Sequence, residues 1–213
     1  MKLKDALPKL DKIINIPFKE LYSSVELKDI RIAKGNTGKL LEKILGLPPG
    51  NSLRDFEDGE LKTNKCDANA KPLETMFISQ ISSRFDELLD EDLSFKESWI
   101  YKKIKHLLYV PVVKSDNNPD NWYFLPYKYV EINENGGLFS QLENDFIDIK
   151  KQIEVHLNSK DNFIHTSSGR YIQIRTKDAK PYNPIFSNQL NREVSNKNFA
   201  FYFKKDFMRE IYK

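Results

Sequence analysis

The segment from residue 54 to residue 62 holds the side chains best suited to chemistry. On a β-strand, successive side chains point to opposite faces, so Glu60 and Lys62 would share one face while Leu61 points into the core. Asp55 stands just upstream, where the chain would enter the strand. Two carboxylates suit a hard cation such as Mg²⁺, and an ammonium group beside that cation could steer a water molecule. This arrangement would suit metal-assisted hydrolysis of a phosphodiester.

The same residues also fit a solvated turn with charges on an edge strand. Charged residues make up 31% of the chain, so acidic residues near an E-x-K pattern arise often from composition alone. On spacing alone the solvated turn is the better interpretation, and a catalytic site needs support from other parts of the chain.

Composition narrows the class of protein. A chain of 213 residues forms one large domain or two small lobes and is long enough to bury a proper core. The hydrophobic fraction of 39% favours a globular fold over disorder. Cys66 is the single cysteine, so no internal disulfide framework can form. No apolar run approaches the length of a membrane span, and the first residues lack a signal-peptide core. We therefore expect a cytoplasmic protein with no membrane partner.

The distribution of charge indicates a polyanionic partner. Residues 160–213 contain 11 Lys and Arg against 5 Asp and Glu, a local balance of +6 in a chain of net charge +3. A basic C-terminal quarter suits nucleic acid. Ordinary variation of surface charge fits the same figures.

Two amphipathic patterns predict helices. Apolar residues recur every three or four positions over residues 137–157, which is typical of a helix with one buried stripe. A second helix is predicted to begin at Asn36 or Thr37 and to end before Gly46. Glu42 lies on this helix one turn from Gly46, where little side-chain bulk surrounds the carboxylate.

The strands are shorter and scattered between helices, which predicts an α/β domain with a mixed β-sheet. Further helices are expected from Ser94 to His106 and over residues 207–212. The predicted strands lie near residues 59–64, 75–82, 107–113, 122–130, 170–176 and 199–205.

The sequence does not support a zinc site, a serine-hydrolase site or a nucleotide-binding site. The histidines and the cysteine have no metal-ligand spacing, and no G-x-S-x-G element is present. Residues 35–39 read G-x-x-G-K, which is too short for a nucleotide-binding P-loop.

Separated motifs along the chain occur together in one order. They are Lys34-Gly35 with Gly38–Glu42, Asp55-Phe56 with Gly59–Thr63, Pro72–Phe77, Ser98–Pro111, Gly169–Lys177 and Phe201–Phe207. In this order they resemble the MutH family of GATC-specific endonucleases of mismatch repair, and the related type II restriction enzymes that cleave GATC. The resemblance covers roughly residues 30–212. A single E-x-K pattern is weak evidence for a family, whereas several motifs in the same order are specific evidence.

The resemblance implies a restriction-endonuclease-like fold, with a mixed β-sheet flanked by helices and two lobes around a DNA cleft. It implies one MutH-like domain over residues 1–213. An N-terminal lobe of about residues 1–110 would carry the catalytic motif, and a C-terminal lobe of about residues 111–213 would carry DNA recognition.

The resemblance also implies roles for individual residues. Asp55 and Glu60 resemble the metal-binding carboxylates, and Lys62 resembles the lysine beside the attacking water. Glu42 would complete the catalytic site and Lys103 would support it. The residues implied in DNA binding are Lys34, Arg175, Lys177, Tyr202, Lys204 and Lys205.

Chemistry agrees with several of these DNA-binding roles. Arg175 can read guanine, because arginine binds guanine O6 and N7 in a bidentate manner. Tyr202 resembles the tyrosine near the target adenine. Lys204 and Lys205 suit phosphate contacts, which position a protein without reading sequence.

Two departures from the family pattern matter. The segment between Asp55 and Glu60 is two residues shorter than in MutH, which leaves Asp58 as a rival metal ligand. Thr176 replaces a proline beside the recognition arginine, and this puts methylation sensing in question more than cleavage.

We therefore expect a Mg²⁺-dependent endonuclease, with Mn²⁺ as a substitute, that cuts double-stranded DNA at GATC on the 5′ side of G. A type II restriction enzyme is the preferred interpretation, with a cognate DNA adenine methyltransferase as its companion. One alternative is a mismatch-repair nicking enzyme activated by a MutL-like partner. The other is a DNA-binding module without catalytic activity.

Overall fold

The chain forms two compact units that are interleaved in sequence. The computed structural model describes residues 1–32, 36–48, 53–177 and 180–213. Unit 1 comprises Met1–Glu74, Lys103–Glu131 and Arg209–Lys213, and unit 2 comprises Thr75–Lys102 and Ile132–Met208. We had expected consecutive lobes that divide near residue 110. The assignment of catalysis and recognition to separate lobes stays a prediction.

Helices and strands alternate irregularly along the chain, in a mixed α/β arrangement. The α-helices are α1 (Leu3–Leu10), α2 (Phe18–Leu21), α3 (Ser24–Ile32), α4 (Asn36–Leu45), α5 (Trp99–Ile104), α6 (Gly137–Leu157) and α7 (Lys205–Ile211). The strands are β1 (Glu60–Cys66), β2 (Met76–Gln80), β3 (His106–Val113), β4 (Tyr123–Phe124), β5 (Lys128–Glu131), β6 (Ser167–Ser168), β7 (Ile172–Thr176), β8 (Ile185–Ser187), β9 (Arg192–Ser195) and β10 (Phe199–Phe203). Short 3₁₀-helices span Ser82–Leu89 and Pro119–Asn121.

A mixed sheet forms the centre of unit 1. β1 pairs in parallel with β3, and β4 and β5 pair with β3 in the antiparallel sense. The side chains of β3 are mostly apolar and buried, as expected for a strand covered on both faces. Leu61 of β1 lies in the hydrophobic core of this unit, as predicted. The predicted mixed sheet is therefore confirmed.

Helix α4 packs on the same core. Leu41 and Leu45 are fully buried, and the helix begins at Asn36 as its pattern predicted. It ends before Gly46, whose φ of 77° is a left-handed conformation that glycine adopts without strain. These features fix the axial position of Glu42.

The sheet of unit 2 is antiparallel and has the strand order β2-β10-β7-β6. Helix α6, which has the predicted bounds, packs its apolar stripe on one face of this sheet. The rings of Phe146 on α6 and Phe201 on β10 stack with their centroids 6.3 Å apart.

A buried carboxylate on α6 anchors the start of β7. Asp145 is 2% exposed and accepts hydrogen bonds from the backbone N–H groups of Arg170, Tyr171 and Ile172 at 2.8, 2.5 and 3.0 Å. A Cβ atom on Gly169 would lie only 2.4 Å from Asp145 Cγ, so this close approach requires glycine. The position of β7 therefore depends on Asp145.

Three predictions of secondary structure are wrong. The strand expected over residues 122–130 is two short strands, β4 and β5, which pair with different parts of β3. The helix expected from Ser94 to His106 is only Trp99–Ile104, because the Ser98 hydroxyl accepts from Tyr101 N near its start and His106 already pairs within β3. The hairpin of β8 and β9 lies between the predicted strands of residues 170–176 and 199–205, where the sequence predicted no strand. Among the helices in the described ranges, none is long and apolar enough to cross a membrane.

Candidate active site

The carboxylate of Glu60 is the centre of a charged cluster in unit 1. Glu60 is 1% exposed, although it is the first residue of β1. Its Oε1 accepts a hydrogen bond from Lys62 Nζ at 2.6 Å and lies 2.9 Å from Lys103 Nζ. Its Oε2 is buried and has no hydrogen-bond partner among the described residues. A buried carboxylate oxygen without a partner is costly, and this atom is therefore suited to receive a ligand.

Asp55 is fixed beside Glu60 by the backbone of β1. Its Oδ2 accepts a hydrogen bond from the backbone N–H of Leu61 at 2.9 Å. Burial raises the pKa of Asp55 above its usual value, and the negative charge of Glu60 raises it further. The charges of Lys62 and Lys103 and the hydrogen bond from Leu61 act in the opposite direction. Asp55 and Glu60 are therefore electrostatically coupled.

Glu42 approaches the same cluster from α4. Burial raises the pKa of Glu42, and the charges of Asp55 and Glu60 add to this increase, whereas Lys62 opposes it. Three carboxylates thus repel one another within one region of unit 1. Such an arrangement attracts a cation, because a cation would relieve the repulsion.

Lys103 completes this set from α5. Its ammonium group also donates a hydrogen bond to the backbone carbonyl of Leu53, and the side chain is 13% exposed. The structure therefore brings together all five residues that we predicted to be catalytic. They are Glu42, Asp55, Glu60, Lys62 and Lys103.

Asp58 is occupied elsewhere. Its Oδ1 accepts a hydrogen bond from the backbone N–H of Leu3 at 2.8 Å, which satisfies one of the free N–H groups at the start of α1. These contacts favour Asp55 over Asp58 as the metal ligand.

Asp55 and Glu60 are the carboxylates of this cluster that could together hold a divalent cation. In the part of the chain that the structure describes, no group of three or more His, Cys, Asp and Glu side chains is placed to hold a metal ion by itself. Mg²⁺ commonly binds one or two carboxylates and completes its shell with water and substrate phosphate. Asp55 and Glu60 offer two carboxylates, and Glu60 Oε2 is available.

Three of the predicted DNA-binding residues, Arg175, Lys177 and Tyr202, lie on one face of the unit 2 sheet. We call this surface the cation–aromatic face and define it by Phe77, Gln173, Arg175, Lys177 and Tyr202. Arg175 Cζ lies 4.7 Å from the ring centroid of Tyr202, and Lys177 Nζ lies 4.0 Å from that of Phe77. The rings of Phe77 and Tyr202 meet edge to face at 5.7 Å. Cations over aromatic rings are mutually stabilised, which orders these long side chains.

Sequence reasoning gave no role to Phe77. Phe77 ends the motif Pro72–Phe77, but only the pairing of β2 with β10 shows that it contacts Tyr202. Arg175 Nη1 also donates to Thr75 Oγ1 at 3.2 Å, so the start of β2 helps to hold the guanidinium.

The remaining predicted DNA-binding lysines differ in their surroundings. Lys204 Nζ donates hydrogen bonds to Ser168 Oγ at 3.1 Å and to Gly169 O at 2.7 Å, so this ammonium is tied to the β6–β7 connection. Lys205 is exposed at the start of α7. Lys34 lies outside the described residues. The DNA-binding roles of these lysines stay predictions.

The fold and the cluster together indicate a class of protein. A mixed sheet flanked by helices, with carboxylates and lysines gathered at the start of one strand, is consistent with a restriction-endonuclease-like fold. Residues 45–134 match the family model described as DNA mismatch repair enzyme MutH. No curated protein matches the chain.

The matched segment contains Asp55, Glu60, Lys62 and Lys103. The match therefore supports a similarity of this segment to DNA endonucleases of the MutH and restriction-enzyme type. The predicted resemblance is confirmed over this segment, which also includes Phe77, whereas Glu42 and the other residues of the cation–aromatic face lie outside it.

Proposed function

We propose that the chain is a Mg²⁺-dependent endonuclease that cuts double-stranded DNA at GATC, on the 5′ side of G, as a type II restriction enzyme. Mn²⁺ would substitute for Mg²⁺. The proposal rests on the surroundings of the Glu60 carboxylate. Its Oε1 pairs with two lysines, while its buried Oε2 has no partner among the described residues.

Each residue of the cluster has a task in this reaction. Asp55 and Glu60 would hold the cation. When bound, Mg²⁺ supplies positive charge that stabilises the phosphate and the leaving oxygen. Lys62 would orient the water that attacks phosphorus in line with the leaving 3′ oxygen, which gives a 5′ phosphate. Lys103 would hold Glu60 in place, and Glu42 would complete the acidic cluster.

Recognition would come from the cation–aromatic face. Arg175 would read guanine in the major groove, and Tyr202 would lie close to the adenine. A cytoplasmic location and a cognate DNA adenine methyltransferase follow from the restriction role. A mismatch-repair nicking enzyme with a MutL-like partner is the second candidate, favoured by the description of the matching family.

Incubation of supercoiled plasmid with the purified chain separates these functions. The reaction is run with Mg²⁺, with Mn²⁺ and with EDTA, on plasmid with and without adenine methylation, and the ends are mapped by sequencing. Double-strand breaks at GATC without any partner support restriction. Nicks that require a MutL-like protein support repair. Binding of DNA without any cleavage would leave only a DNA-binding module, and breaks at another sequence would overturn the GATC assignment.

A further inference from the structure

Four residues form a row across the sheet of unit 2. Ser168 pairs with Gln173, Gln173 pairs with Tyr202, and Tyr202 pairs with Phe77. Because paired residues of neighbouring strands project from the same face, this row runs across β6, β7, β10 and β2. Gln173 therefore lies beside Tyr202 on the cation–aromatic face.

The alternation of β7 places Gln173 on the same face as Arg175. Ile172 and Ile174 are fully buried on the side of α6, whereas Gln173 is half-buried and Arg175 is exposed. Residues two apart on a strand have their Cα atoms about 7 Å apart. The two side chains can therefore reach neighbouring base pairs from one strand.

The side-chain amide of Gln173 is available to bind a ligand, whereas the paired residues on both sides of it are held in place. Within the described ranges the Gln173 side chain makes no hydrogen bond, and its amide atoms are not buried without partners. On one side, the backbone of Ser168 is held by hydrogen bonds to Gln152 at 3.0 and 3.3 Å. On the other side, Tyr202 is held between Phe77 and Arg175. Fixed neighbours orient the amide without consuming its donor and acceptor.

A carboxamide matches one base edge in particular. Its oxygen accepts from adenine N6–H while its NH₂ group donates to adenine N7, and this pair of contacts is possible only in the major groove. Guanine presents two acceptors at that edge and suits arginine instead. Gln173 and Arg175 on one strand thus offer the two chemistries that adjacent adenine and guanine require.

We propose that Gln173 is a specificity-determining residue that binds adenine N6 and N7 in the recognised DNA site. The proposal rests on the proposed function, a sequence-specific endonuclease of double-stranded DNA, and adds an adenine reader to it.

The test replaces single atoms of the DNA. Each adenine of the mapped cleavage site is exchanged in turn for 7-deazaadenine, which has a C–H group in place of N7. Binding is measured with Ca²⁺ under conditions in which the duplex stays uncut. For the wild type we expect one exchange to weaken binding about 10- to 100-fold. Gln173→Ala should weaken binding to the unmodified duplex by a similar factor and show no further loss with 7-deazaadenine.

Gln80→Ala is the matched control. Gln80 lies on β2 of the same sheet, but its amide oxygen accepts from Asn198 Nδ2 at 3.1 Å. This variant should keep the full penalty for 7-deazaadenine. Gln173→Met keeps the length of the side chain and removes both polar atoms, and it replaces Gln173→Ala if that variant melts at a lower temperature than the wild type.

The outcomes separate this proposal from the proposed function. If both Gln173 variants keep the 7-deazaadenine penalty, or if the mapped site contains no A·T pair, Gln173 is not an adenine reader and the endonuclease assignment is unaffected. If the wild type neither cuts nor selects any sequence, the proposed function fails first, and the adenine reader fails with it.

Discussion

The ammonium group of Lys103 lies 2.9 Å from Oε1 of Glu60, the oxygen that also accepts from Lys62. Both lysine side chains are only 13% exposed, so their charges act in a medium less polar than water. Two ammonium groups on one oxygen hold the carboxylate in a single orientation. They leave the other oxygen for a ligand.

Lys103→Ala should lower the rate of cleavage by about 100- to 1000-fold, because Glu60 would lose one of the two groups that orient it. DNA affinity should change little, since it depends mainly on phosphate contacts elsewhere. Single-turnover cleavage and a binding titration measure the two effects. Lys102→Ala, at the exposed neighbouring position, is the control. An equal loss of cleavage in both variants would show that the lysines act only through the overall charge.

Glu60→Gln should remove stabilisation by Mg²⁺ together with cleavage. A cation that binds only the folded protein stabilises it by about 2.7 kcal/mol at 100 times its dissociation constant, so the wild type should melt at a higher temperature with Mg²⁺. The shift is compared within each variant, so a change in basal stability does not affect the result. Glu57→Gln is the control, since Glu57 is 65% exposed and pairs with the N-terminal ammonium at 2.6 Å. A full Mg²⁺ shift in Glu60→Gln would exclude Glu60 as a ligand.

Asp55→Asn and Asp58→Asn should have opposite effects. Asp55→Asn should abolish cleavage, because it removes a carboxylate beside Glu60 but keeps the side-chain shape. Asp58→Asn should retain cleavage and lose about 1 kcal/mol of unfolding free energy, because Asp58 accepts from Leu3 N at the start of α1. Urea denaturation and plasmid cleavage measure both properties. An inactive Asp58→Asn beside an active Asp55→Asn would show that the ligand was assigned to the wrong aspartate.

The sequence predicted correctly those elements in which apolar residues recur regularly over many positions. Helix α6 has 21 residues with one apolar stripe, and its predicted bounds are correct. Helix α5 was predicted too long at both ends, because the Ser98 hydroxyl accepts from Tyr101 N near its start and His106 already pairs with Glu131 of β5. The hairpin of β8 and β9 has short strands among polar residues, so the sequence shows no alternation of apolar and polar residues from which it could be predicted.

The site depends on contacts that sequence spacing does not contain. Glu60 and Lys62 share a strand, and their proximity followed from alternation alone. The contact of Lys103 with Glu60 joins two distant elements and was expected only from the family resemblance. The roles of Gln173 and Phe77 were not predicted, because each depends on pairing with Tyr202 on a neighbouring strand.

Arg175, Lys204 and Lys205 should separate into three roles when each is changed to alanine. Arg175→Ala should cost about 1–3 kcal/mol of discrimination between the specific site and random duplex. Lys205→Ala should weaken both equally and reduce the salt dependence by about one phosphate contact, because a phosphate carries no base information. We had expected Lys204 to behave like Lys205. However, its ammonium donates to Ser168 Oγ and Gly169 O, so Lys204→Ala should instead lower thermal stability and leave the salt dependence unchanged.

Titrations of all three variants against both duplexes over a salt series, with a melting curve for each, distinguish the roles. If Arg175→Ala lowers specific and random binding by the same factor, Arg175 contacts a phosphate and another strand must read the guanine. If Lys204→Ala flattens the salt dependence at unchanged stability, Lys204 leaves Ser168 and Gly169 to bind DNA. Such a result would mean that the β6–β7 connection rearranges when DNA binds, because Gly169 O would lose the donor that it has in the free protein.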